Sequence, residues 1–352
     1  MLRIRDKRVR LILALTLVAV IGVVGYQIGV NFWAMRQYDL ARQALERYDY
    51  VQATTHLHSY LKMRPNNPSV RILAAQAARR RNDFAEAARQ LRLAEQFGAS
   101  GDDLDLEGQL LGVQQGDLRS ADRLVRFCQE NPDKPEMPVV LEAVIEGSLI
   151  VQDLSRAEAS IELFLKHRPG KIDQAQGLVW RGRTNMFLYG VPQAVVDYQE
   201  ALKLVPHHYV ARLWLVEALL LEDPRQAFGH LEWMRTQRPD DLTVRFQQAR
   251  MHRALGQPEE AGRLLDDMLV TLPDRVPVLI ERARVALDLN LPADAERWLM
   301  HAESLAPGER EVILVLAACL LRQPGRLDDA HRYQNKLNEI DAKAKSKVKG
   351  KK

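Results

Sequence analysis

The sequence predicts an all-α fold: a helical-hairpin repeat superhelix, an α-solenoid of about nine repeats of roughly 34 residues, preceded by one transmembrane helix. Three observations lead there. Alanines recur at Ala53, Ala87, Ala121, Ala157, Ala194, Ala227, Ala261, Ala295 and Ala330, at steps of 34, 34, 36, 37, 33, 34, 34 and 35 residues. A second series, Pro65, Ala99, Pro132, Pro169, Pro206, Pro239, Pro273 and Pro307, keeps the same period and closes each hairpin, because proline cannot continue a helix. Ahead of both series, the stretch from Leu11 to Met35 carries no charge.

Composition agrees. Of 352 residues, 47% are apolar and only 19 are glycine, which suits helices with enough apolar surface for a continuous core. The formal net charge is only +4, and much of the excess sits at the two termini. A polyanionic partner for the repeats therefore has little support from charge.

Residues 1–10, MLRIRDKRVR, form a flank with five basic residues and one acid. The apolar core Leu11–Val30 spans roughly 30 Å at about 1.5 Å per residue, the thickness of one bilayer core. Residues 11–33 are thus predicted to cross a membrane, with Tyr26, Phe32 and Trp33 near the far interface, where amphipathic rings are favoured. The basic flank predicts a cytoplasmic amino terminus and an array, residues 34–340, on the outer, periplasmic or extracytoplasmic side. A cleaved secretory signal is a competing reading; such signals carry an apolar region of about 7–15 residues, and Val23-Val24-Gly25 is a passable cleavage site. A third reading keeps the array in the cytosol. No Pro/Gly/Ser-rich linker follows the anchor, so the array is expected to stand close to the membrane.

The repeat unit is plainest from Leu178 to Pro206. A first helix carries Leu178, Gly182 and Asn185, the segment Gly190-Val191-Pro192 turns, and a second helix carries Ala194, Tyr198 and Ala201 on one face. The two alanines let backbones approach, and Tyr198 fills the gap between them. One such hairpin cannot bury its apolar face alone, so it needs neighbours of its kind. Numbering each repeat so that the recurrent alanine is position 20, a small residue occupies position 8 at Ala41, Ala75, Gly182, Ala249, Ala283 and Ala318. With a large apolar residue at 24, a small one at 27 and proline at 32, the pattern resembles the tetratricopeptide repeat family over roughly residues 34 to 340.

Irregularities are local. Repeat three has Gln109 at position 8 and is weakened by Gly108, Gly112 and Gly116, while repeat four has Ile145 there. Two longer steps fall at NPDKPEMP (131–138) and HRPGKIDQ (167–174), which are the expected bends or the junction of two sub-arrays. Repeat six shortens its internal turn at Glu222-Asp223-Pro224. The tail, residues 341–352, holds six lysines and one acid and is expected to be disordered. It serves either solubility or attachment to an anionic surface such as lipid headgroups, cell-wall polymer or nucleic acid. No aromatics are interleaved among its lysines to stack bases.

Motifs for chemistry are missing from the sequence. Cys128 and Cys319 belong to repeats three and nine, too far apart along an array to bridge, and Cys128 sits at the small-residue position 27. His56 and His58 are two apart, which points them in different directions on a helix, and His207-His208 lies in a turn. There is no phosphate loop, no H-E-x-x-H and no G-x-S-x-G. No enzymatic activity, cofactor, metal site or small-molecule substrate is expected.

Binding remains. The family resemblance implies that the first helix of each repeat lines a concave face through positions 2, 5, 9 and 12. Position 9 supplies Arg42, Arg183, Arg250 and Arg284, position 12 supplies Arg79 and Arg253, and position 5 supplies Val179, Phe246 and Ile280. An apolar floor with arginines along it suits a partner's acidic, partly apolar peptide segment. The competing reading is that these positions pack adjacent helices, with the arginine tips in water. The chaperone-tail variant of the family uses Lys and Asn where Val179/Arg183 and Phe246/Arg250 stand, so that clamp is not carried over. The function expected is a membrane-anchored scaffold that binds other proteins, in envelope complex assembly. The alternatives are a secreted or periplasmic accessory subunit of an enzyme complex, and a nucleic-acid-binding repeat array.

Overall fold

A computed structural model describes the backbone of residues 7–349 and the side chains of residues 15–342. Among the described residues there are eighteen α-helices and no strand, and the helices alternate as first and second members of nine hairpins. The first five hairpins are α1 (Lys7–Glu46) with α2 (Tyr50–Met63), α3 (Pro68–Arg80) with α4 (Phe84–Gln96), α5 (Asp102–Gln114) with α6 (Ala121–Glu130), α7 (Met137–Ile150) with α8 (Leu154–His167), and α9 (Lys171–Leu188) with α10 (Val191–Leu204). The last four are α11 (Tyr209–Glu222) with α12 (Pro224–Gln237), α13 (Leu242–Ala254) with α14 (Pro258–Thr271), α15 (Val276–Asp288) with α16 (Pro292–Leu305), and α17 (Arg310–Leu321) with α18 (Leu327–Lys349). This is the all-α hairpin array that the 34-residue period predicts.

Local chemistry sets the helix ends. Asp49, Asp83, Asp153 and Asp223 precede α2, α4, α8 and α12, and each accepts a hydrogen bond from a backbone N–H of the first turn. Elsewhere proline opens the helix, as at Pro192, Pro258 and Pro292, where its missing N–H costs nothing. The turn inside most hairpins needs one left-handed residue. Gly116, Gly190 and Gly256 adopt it without a Cβ penalty, whereas Tyr48, Asn82, Gln152 and Asn290 adopt it at φ of +57° to +61°.

The nine recurrent alanines are all 0–1% exposed, which is where helices meet. Gly182 illustrates how close that meeting is, since a Cβ there would lie 2.5 Å from Cε1 of the buried Tyr198 ring. The chain divides into two units, Met1–Ala211 and Arg212–Lys352. In the first, Leu110, Met137, Leu141, Ile145, Ile161, Phe164 and Trp180 belong to one buried cluster. In the second, Leu265, Leu279, Val285, Leu299 and Leu316 belong to another.

α1 runs unbroken through the apolar segment into the first repeat; no glycine or proline lies between Gly29 and Glu46 to interrupt it. Three expectations need correction. The tail is not irregular from residue 341, because α18 continues to Lys349; Ala342 and the following Lys/Ala run are strong helix formers. The division between units falls at Ala211, not at 131–138 or 167–174. Those two segments are braced, with Gln174 donating to the carbonyls of Leu165 and Arg168 (2.8 and 2.7 Å) and Cys128 Sγ lying 3.8 Å from the Met137 carbonyl. In the last hairpin Ala317, 3% exposed, is the inward small residue, and Ala318 is exposed. The 35-residue step there sits in the α17–α18 turn, so counting back twelve from Ala330 stops one residue short.

Candidate functional site: the first-helix face

Among the described residues, first helices carry most of the buried charge: Arg71, Arg79, Glu107, Glu142 and Glu281, with Asp197 on α10 the exception. In the first unit Arg79, which is fully buried, donates from Nε and Nη2 to both carboxylate oxygens of Glu107 on α5, and from Nη1 to Oε1 of Gln114 at 2.6 Å. In the second unit Arg253 donates to Glu281 at 2.6 Å and to Asp288 at 3.3 Å. The two sets share one spacing: the acid lies 28 residues after the arginine, and the second acceptor 35 after it. Position 12 is therefore an inter-repeat latch, in which an arginine fork ties the end of one first helix to the next first helix. The sequence carried this signal as an Arg and a Glu separated by one repeat less six residues.

The other arginines expected to line a groove are held in similar ways. Arg183 pairs with Glu146, which also accepts from Trp180 Nε1 at 3.0 Å. Arg284 bridges Glu281 and Glu311 at 3.2 and 2.7 Å, so Arg253 and Arg284 share one carboxylate. Arg250 donates to Gln247 at 3.0 Å, and Gln247 donates to Glu217 at 2.8 Å. Val179 and Ile280 are 0% and 3% exposed and belong to the core, while Phe246 is half-buried against it. Arg42 differs: its side chain is 59% exposed and reaches Glu46 only at 3.9 Å.

Arg42 lies on the rim of a cleft of about 690 Å³ in the first unit. Leu73 and Gln76 from α3, Val139 from α7, and Lys171 and Ile172 from α9 line it, and a smaller hollow of about 300 Å³ continues it past Ile72 and Leu106. Tyr48, Arg80, Arg168 and Asp173, which also line it, belong to a polar network. Tyr50 donates to Glu142, which also pairs with Arg80 at 2.8 Å, and Arg80 lies 5.2 Å over the Tyr50 ring. Tyr48 donates to Asp173 at 2.8 Å, and Arg168 reaches the same carboxylate at 2.9 Å.

Burial pushes the Glu142 carboxyl up, against the pull of Arg80 and of the Tyr50 hydrogen bond. Arg80 is also buried, yet the facing Glu142 holds it above its ordinary range. Burial raises both Tyr48 and Tyr50, which keeps them neutral donors. This network was not legible in the sequence, because Tyr48 and Asp173 are 125 residues apart.

Tyr48 is the link that closes the first unit. Its ring is 6.0 Å from Trp180 edge-on and 6.4 Å from His208, and it is only 5% exposed. A tyrosine in left-handed backbone costs about 1–2 kcal/mol where glycine or asparagine would not. The side chain's contacts with α9 offset that strain.

No sequence-family profile and no curated protein matches this chain. Solved structures do. Cut9 in the APC/C hetero-tetramer Cut9–Hcn1 is similar over 86% of this chain and 59% of its own, with TM-score 0.57 and 14% identity. A tetratricopeptide repeat protein from Parabacteroides merdae is similar over 82% of this chain and 98% of its own, with TM-score 0.47 and 13% identity. Yeast Tom70 is similar over 94% of both chains, with TM-score 0.42 and 12% identity. The fold is that of tetratricopeptide repeat proteins.

Proposed function

We propose that this protein is a membrane-anchored scaffold whose first unit receives an acidic, partly apolar segment of a partner protein in the cleft between α3, α7 and α9. One observation carries the reading: among the arginines of the first-helix face that were candidates for partner binding, Arg42 alone is mostly exposed, and it lines that cleft together with Lys171. Leu73, Val139 and Ile172 supply the apolar floor. Arg183, Arg253 and Arg284 hold adjacent first helices in register instead, and Arg250 and Phe246 remain secondary candidates. A carboxylate in the cleft would meet Arg42 and Lys171, both exposed, where an ion pair is worth up to about 1 kcal/mol and the apolar floor supplies the rest.

Anchoring rests on α1. Its residues from Leu15 to Gly29 are exposed, the helix is apolar enough to cross a bilayer, and the basic flank orients the array outward. The lysine-rich carboxyl end is an additional contact for an anionic surface at the envelope.

Affinity purification of the full chain from membranes, with its anchor intact, tests the cleft. Arg42→Glu with Lys171→Glu should remove the co-purifying partner, whereas Glu200→Lys with Asp267→Lys should retain it. Equal loss in both variants would move binding out of the cleft. For topology, protease added outside the cytoplasmic membrane should digest the chain beyond Arg36, and full protection would refute the outward array.

A further inference from the structure

We infer that the carboxyl end of α2, Lys62–Met63–Arg64, where the chain turns toward α3, is a second membrane contact that seats in the headgroup region of an anionic bilayer beside α1. The inference rests on the reading of α1 as a membrane anchor. Its geometry comes from the first hairpin. His56 Nδ1 on α2 lies 2.7 Å from Gln37 Oε1 on α1, which fixes the level at which the two antiparallel helices pass. Seven residues toward the membrane from Gln37 is Val30, and seven residues in the same direction from His56 is Met63. Both lie about 10 Å below the pair at 1.5 Å per residue. Burial agrees with that level. Residues 15–29 of α1 are exposed all round, Val30 is half-buried, and Ala34 is 3% exposed. Repeat packing therefore begins where the apolar span ends, and the α2–α3 turn stands at the depth of the outer interface.

The turn has the chemistry that depth requires. Met63 is 39% exposed, and the basic residues Lys62 and Arg64 on either side of it are exposed. No acid lies between Leu61 and Asn67. An apolar tip flanked by long basic side chains enters the headgroup–acyl boundary with its charges on the phosphates.

The turn is also held rigidly. The Arg64 N–H donates to the Tyr60 carbonyl at 2.9 Å, Asn67 Nδ2 donates to Tyr60 Oη at 2.9 Å, and Arg71 Nε donates to the Pro65 carbonyl at 2.8 Å. With α1 continuous, the turn has no hinge by which to swing clear of the bilayer. The consequence is a first repeat seated on the membrane by two elements, with its orientation to the bilayer fixed.

The test uses the full chain reconstituted in phosphatidylcholine vesicles containing phosphatidylglycerol, with an environment-sensitive fluorophore on Met63→Cys. Cys128 and Cys319 are both buried, so the unaltered chain serves as the labelling control. Val20→Cys, inside the span, and Gln115→Cys, at the exposed α5–α6 turn, are the two references. The Met63 probe should be blue-shifted and quenched more by a shallow than by a deep lipid nitroxide, while the Gln115 probe stays aqueous. A Met63 probe matching Gln115 while Val20 is shielded overturns the inference and leaves the anchor standing. An aqueous Val20 probe overturns the anchor reading and the inference with it. Lys62→Glu with Arg64→Glu should weaken shallow quenching at Met63 on the anionic vesicles only, and an unchanged signal would remove the two basic residues from the contact.

Discussion

Removing the carboxylate of Glu107 should be among the most costly changes in the first unit. Arg79 is fully buried and Glu107 is 3% exposed, so Glu107→Ala leaves a guanidinium without water and with Gln114 as its remaining side-chain acceptor. Breaking one side of a buried ion pair typically costs about 3–5 kcal/mol. Replacing the set together, as Arg79→Met, Glu107→Leu and Gln114→Leu, removes the orphaned charge and should cost much less, because apolar isosteres of buried pairs are often neutral. The corresponding change in the second unit, Glu281→Ala, should cost less than Glu107→Ala, since the Arg253 side chain is 29% exposed and keeps Asp288. Unfolding of a repeat array is not two-state, so local hydrogen exchange is the suitable assay. Amides of α3 and α5 should exchange about two to three orders of magnitude faster in Glu107→Ala, at 1.4 kcal/mol per factor of ten. If Glu107→Ala changed those rates less than the triple apolar variant did, the latch would not be what holds these helices together.

Other changes follow from the same geometry. At Gly147 a Cβ would sit 2.0 Å from the Val113 carbonyl oxygen, a backbone atom that cannot give way, so Gly147→Ala should cost about 1–3 kcal/mol, read by hydrogen exchange of α5 and α7. Gly108 lies in α5 with nothing within 4 Å of a Cβ, and Gly108→Ala should stabilise by about 0.5–1 kcal/mol. His208 caps α11 by accepting the Ala211 N–H at Nδ1 (3.1 Å), and burial lowers its pKa to about 4. The unfolded chain, with an ordinary histidine near 6.5, then takes up a proton that the folded chain refuses. Stability present above pH 6.5 should therefore be lost as pH falls toward 4, by about 3 kcal/mol in all. His208→Asn, which keeps a cap, should flatten that pH dependence in melting of the first unit, and an unchanged slope would assign it elsewhere.

Much of this protein is legible in one dimension because a repeat array is nearly one-dimensional. The alanine and proline periods and the apolar amino-terminal run are each set by neighbours in sequence or by the adjacent repeat. Reading them suffices to place nearly all the hairpins and the exposed apolar helix. Tertiary structure decided what the first-helix face is for. Counting positions put Arg79, Arg183, Arg253 and Arg284 on that face, but only coordinates show that Glu107, Glu146, Glu281 and Glu311 stand close enough to hold them. Whether a guanidinium faces a partner or a neighbouring helix depends on distances between first helices that no local spacing encodes. Tyr48 marks the same limit: its strained backbone and its contacts with Asp173 and Trp180 arise only when the first unit brings repeat one against repeat five. Continuity of α1 lies between these cases. Its residues were compatible with a helix through residue 34, yet the division into anchor and array hid it, because apolar and amphipathic patterns change there while the backbone does not.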